Sequence, residues 1–176
     1  MDATLTNHTL FAPTTIPTAL KLPVLIWGEG GCIANGISFL ALLTQVASHG
    51  VFVIASGAPG GIGTTTSKLM TDAIDWITTG AGKTNYPAVD SSRIAVAGMS
   101  CGGLEVYEMI NDTRVSTFGI FNSGELDDAS SKLVANKIAK PIFYFLGGST
   151  DIAYANVRHS KASNCPSSVG SLTMAL

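Results

Sequence analysis

Five short apolar runs recur along the chain: Pro23–Trp27, Val51–Ala55, Arg93–Ala97, Thr117–Phe121 and Pro141–Leu146. None alternates between polar and apolar residues, so each reads as a strand buried on both faces. Between them lie segments with helical periodicity. In Ile37–Ala47 the residues Phe39, Leu40, Leu43 and Val46 share one face. Leu69, Ala73, Trp76 and Ile77 oppose Thr71, Asp72 and Asp75, which predicts a helix to about Thr79. Cys101–Ile110 and Asp128–Ala139 supply two more helices. Pro87 predicts that Gly80–Asp90 is loop. Alternating strands and helices imply a mostly parallel sheet with helices on both faces. Residues 1–20 read as an arm or edge strand, 21–159 as the α/β core, and 160–176 as an irregular Ser-rich tail.

In such a sheet, right-handed crossovers bring the loops after the strands to one edge, where ligands bind. The loops starting at Gly28, Gly57, Gly98, Asn122 and Gly147 are therefore expected to meet there. Gly98-Met99-Ser100-Cys101-Gly102 fits the G-x-S-x-G pattern between a strand and a helix, the context that a nucleophile elbow requires. Glycines flank the serine because strand and helix backbones approach too closely for side chains. Ser100 is then a nucleophile, and the backbone N–H of Cys101 is one donor for a developing oxyanion. The second donor comes from Glu29 or Gly30, in the loop after the first strand. The bland alternative is that these glycines only make tight turns.

Asp151 follows the fifth strand across Gly147-Gly148-Ser149-Thr150 and is the expected orienting acid; its competing role is to cap the next turn. Asp127 and Asp128, after the fourth strand, are alternatives for the acid but read more as solvated residues at a helix start, and Asp72 and Asp75 read as a solvated helix face. Of three histidines, His8 lies in the N-terminal arm and His49 at a helix end. His159 follows Asp151 in chain order and is the candidate base. Cys32 and Cys101 belong to loops expected to meet, as a disulfide or as two buried thiols; Cys165 reads as incidental. The cysteine spacing is not that of a metal site.

At 176 residues, 46% hydrophobic and 12% charged, the chain suits one domain with a real core. A net charge of −2 without a Lys/Arg cluster argues against nucleic acid or an anionic membrane as partner. No run reaches bilayer-spanning length, and Met1–Thr6 lacks a signal-peptide pattern. The Gly57–Gly63 loop has no Lys-Ser/Thr pair closing it, so nucleotide binding is not expected there.

Three runs carry a family resemblance: Leu22-Pro23-Val24-Leu25-Ile26-Trp27-Gly28-Glu29-Gly30-Gly31-Cys32, Ile94 to Glu105 through the elbow, and Phe143 to Tyr154 through Asp151. They resemble a family of fungal, typically secreted, α/β-hydrolase-fold proteins whose broader relatives are cutinase-like and dienelactone-hydrolase-like ester hydrolases. The resemblance implies an α/β-hydrolase fold and a serine hydrolase that cleaves small or medium carboxylic esters through an acyl-enzyme, with no cofactor. It also implies extracellular location. Family members usually continue to a Gly-His-Gly run bearing the catalytic histidine, and residues 160–171 do not match it. The expectation is thus a C-terminally incomplete hydrolase fold. Its alternative function is that of an inactive, ligand-binding relative or a truncated remnant.

Overall fold

The computed structural model describes residues 2–16, 18–151 and 153–154, and the backbone of 170–173. His159 and Cys165 lie outside the described residues. The chain runs β1 (His8–Phe11), β2 (Leu22–Gly28), α1 (Leu40–Ser48), β3 (Phe52–Ser56), α2 (Ser67–Thr78), α3 (Ala81–Asn85), β4 (Val89–Met99), α4 (Cys101–Glu108), β5 (Val115–Phe121), α5 (Asp128–Ala135), β6 (Ile142–Leu146) and β7 (Gly170–Thr173). Among the described residues these strands form one sheet in the order β1-β3-β2-β4-β5-β6-β7. All pairings are parallel except that of β1 with β3. No helix among the described residues is long and apolar enough to cross a membrane.

Alternate residues of the central strands feed two cores, as a two-faced sheet requires. Val24, Ile26, Phe52, Ile54, Ile94, Val96, Phe118 and Ile120 pack with Met70, Ile74 and Ile77 of α2 and Val106 of α4. On the other face Trp27, Val53, Ala55 and Ala97 pack with Leu43 and Ala47 of α1. Trp27 meets Phe39 and Phe121 edge to face, at centroid distances of 5.4 and 5.2 Å. This second face is less fully covered than the sequence implies. Phe143 of β6 is 43% exposed there, while α1 packs against β3 and β1.

The expected strands and helices are present, with three departures. The segment read as loop before Asp90 contains α3, which holds because Gly82 lies flat against Trp76: a Cβ there would come within 2.5 Å of the indole ring. β4 begins directly after Pro87 and Ala88, since Val89 pairs with Leu22 and extends the strand well upstream of Arg93. Within the stretch read as an irregular tail, Gly170–Thr173 adds a strand parallel to β6. Backbone pairing at a sheet edge requires no apolar run, so this strand leaves no periodic trace in its sequence.

Candidate active site

The carboxyl ends of the central strands lie level. Gly28 pairs with Gly98, Met99 with Phe121, and Phe121 with Phe145. Ser100 follows β4 at this edge, exposed, with φ 53° and ψ −114°. A non-glycine residue in that region stores roughly 1–3 kcal/mol of strain, which the surroundings must sustain. They do so through both of its backbone groups. Its N–H donates to the Phe121 carbonyl at 2.9 Å, and its C=O accepts from the amides of Gly103 (2.9 Å) and Leu104 (3.2 Å) and from the Ser123 hydroxyl (2.7 Å).

Three glycines interlock beneath the turn. A Cβ on Gly98 would sit 2.4 Å from the Gly102 backbone, and one on Gly102 would sit 2.3 Å from that of Gly28. The sequence identifies the elbow pair; the need for Gly28 arises only from the contact between two loops. That contact brings Glu29 and Gly30 against the elbow. A Cβ on Gly102 would lie 2.9 Å from the Glu29 amide nitrogen, and one on Gly30 would lie 3.2 Å from Met99 Sδ. The loop continues as a 3-10 turn over Gly30–Cys32. Cys32 is joined to Cys101 by a disulfide, with Cα atoms 5.2 Å apart. Of the two arrangements open for these cysteines, the bonded one is present. It ties the loop to the residue next to Ser100.

The side chain of Glu29 is a feature the sequence did not disclose. It is 0% exposed, and neither carboxyl oxygen has a hydrogen-bond partner among the described residues. Burial pushes this group up to about 8, with part of the rise offset by the nearby Trp27 indole. Glu29 is therefore mostly a neutral acid at pH 7. Glu105, on α4, is also buried and accepts from the Thr65 hydroxyl at 3.1 Å. Burial and the neighbouring Glu108 raise it to about 7 against the pull of Thr65.

Asp151 lies just past β6. Its Oδ1 accepts the Ala153 amide at 2.7 Å, so it caps the local turn. Its Oδ2 faces Gly147, where a Cβ would come within 2.3 Å. A carboxylate has two oxygens and accepts several bonds, so this cap does not exhaust the acceptor capacity of Asp151. β6 is two strands from β4, roughly 10 Å along the edge.

His8 and His49 do not approach Ser100. His8 Nε2 donates to the Leu69 carbonyl at 2.8 Å, and burial lowers its pKa, which favours the neutral ring. It stands on β1, three strands from β4. His49 ends α1, where its ring pairs with Gln45 at 3.1 Å. Asp127 caps α5 through the amides of Ala129 and Ser130, Asp72 pairs with Lys68, and Asp75 pairs with Arg114. Asp127 thus stands at a helix start, as read from the sequence, and Asp72 and Asp75 carry ion pairs. His159 lies outside the described residues. Ser123 escaped the sequence reading, although Gly103 is its trace: a Cβ at 103 would lie 2.5 Å from Ser123 Cβ.

No protein-family model and no curated protein matches the sequence. Among solved structures the chain is similar to a thermostable esterase at 17% identity and a TM-score of 0.61, covering 96% of this chain and 51% of that one. It is also similar to the Pyrococcus horikoshii acylaminoacyl peptidase, at 12% identity and a TM-score of 0.60, covering 96% of this chain and 34% of that one. The chain thus spans about half of the first protein and about a third of the second. With the elbow between β4 and α4 at the carboxyl edge of a mostly parallel sheet, these likenesses establish that the chain carries an α/β-hydrolase fold.

Proposed function

We propose that this protein is a serine hydrolase that cleaves carboxylic esters of small molecules through an acyl-enzyme intermediate. The observation that carries this reading is Ser100: exposed, held at φ 53° between β4 and α4, and flanked by glycines that admit no side chain. Ser100 Oγ attacks the ester carbonyl carbon and passes its proton to a base; the alcohol then leaves with a proton, and water releases the acid from the acyl-serine. The tetrahedral oxyanion is received by the Cys101 N–H, at the positive end of α4, and by an amide of Glu29 or Gly30. Asp151 orients the base. His159, which follows it in the chain, is that base.

The three sequence runs that resemble cutinase-like and dienelactone-hydrolase-like enzymes support an ester substrate. The Cys32–Cys101 disulfide supports the secreted origin of the fungal family they resemble, since such bonds persist in oxidising compartments. Hydrolysis of p-nitrophenyl acetate and butyrate tests the assignment. Turnover by the native chain and its loss, by roughly a thousandfold or more, in Ser100→Ala is expected. Equal rates for the two proteins would overturn it.

A further inference from the structure

The carbonyl oxygen of Ser100 and the amide nitrogen of Cys101 belong to one peptide unit. Any donor to that oxygen withdraws electrons from the unit and makes its N–H a stronger hydrogen-bond donor. Two of the donors, the amides of Gly103 and Leu104, are those that any α-helix start supplies. The third is a side chain from another element. Ser123, two residues past β5 and 4% exposed, gives its hydroxyl proton to the Ser100 carbonyl at 2.7 Å, the shortest of the three bonds.

This contact is built rather than incidental. Asn122 turns the chain at φ 42° and is fixed by its N–H to the Phe145 carbonyl at 2.8 Å, which aims the next residue back at the elbow. Position 103 must lack a side chain for Ser123 to reach its partner, since a Cβ there would lie 2.5 Å from Ser123 Cβ and 2.7 Å from its Oγ. The second glycine of Cys101-Gly102-Gly103 thereby has a cause that the elbow pattern itself does not require.

We propose that Ser123 is a positioning residue for catalysis: its hydroxyl holds the strained elbow and polarises the Ser100–Cys101 peptide, strengthening the Cys101 N–H toward the oxyanion. The proposal rests on the ester-hydrolase reading above. Because this effect grows with charge on the substrate oxygen, it acts on kcat and leaves KM nearly untouched.

Ser123→Ala retains both helical donors to the Ser100 carbonyl and is expected to fold. With p-nitrophenyl butyrate its kcat should fall roughly tenfold, less than the loss of a direct oxyanion donor, with KM within about twofold. Ser123→Thr, which restores the hydroxyl, should recover most of that kcat. In 15N-labelled protein the Cys101 amide proton should move upfield in Ser123→Ala and return in Ser123→Thr. An active native protein whose Ser123→Ala variant keeps kcat, or loses it without an amide shift, overturns this inference alone. A folded native chain inert toward esters overturns the ester-hydrolase reading, and the role of Ser123 with it.

Discussion

Glu29, beside the Gly102 backbone, and Glu105, on α4, are buried carboxyl groups, and both retain protons into the neutral range. The unfolded chain loses those protons near the ordinary value of 4.5, the folded one only near 7 to 8. Between these limits folding takes up protons, so their contribution to stability is greatest on the acid side and is lost as pH rises through the window. The melting temperature is expected to decline from about pH 5 to about pH 8.5, and Glu29→Gln to flatten that decline. An identical slope in the variant, measured by scanning fluorimetry across the range, would contradict a neutral Glu29. At this scale Ser100 was legible because its glycines follow from local geometry. The state of Glu29 was not, since its burial comes from a loop closing over α4 that no local pattern records. Ser123 was hidden for the same reason: only a contact between two distant elements gives its hydroxyl a purpose.

At the scale of elements, the loop after β2 and α4 are held by interlocked glycines and by the disulfide, which spans 69 residues of sequence. Loop-closure entropy allows such a crosslink to contribute up to roughly 4 kcal/mol by restricting the unfolded chain. Replacing both cysteines by alanine should therefore lower the urea midpoint, and should lower ester turnover further by releasing the loop from Cys101. Equal midpoints would deny the bond a structural role. Most strands and helices could be read from apolar runs and periodicity. α3 could not, because it depends on Gly82 seating against Trp76, and the early start of β4 depends on pairing with Leu22. Whether Cys32 and Cys101 form a disulfide or two buried thiols was open in the sequence, because spacing along the chain does not give the approach of two Cα atoms.

For the whole molecule, the alternation of elements and the handedness of crossovers were enough to bring the post-strand loops to one edge, and the sheet does carry Gly28, Ser100, Asn122 and Gly147 at its carboxyl side. The strand order confirms a parallel core with one antiparallel edge, while β7 left no signal in its Gly-Ser-Leu-Thr sequence. The likeness to an esterase and a peptidase belongs to the fold; the chemistry rests on Ser100 and what surrounds it. Mass spectrometry of the folded, disulfide-intact protein after treatment with a fluorophosphonate tests that claim most directly. A single adduct is expected, mapped to Ser100 and absent in Ser100→Ala; a native protein that stays unlabelled, or labelling that is equal in the variant, would contradict a nucleophilic Ser100.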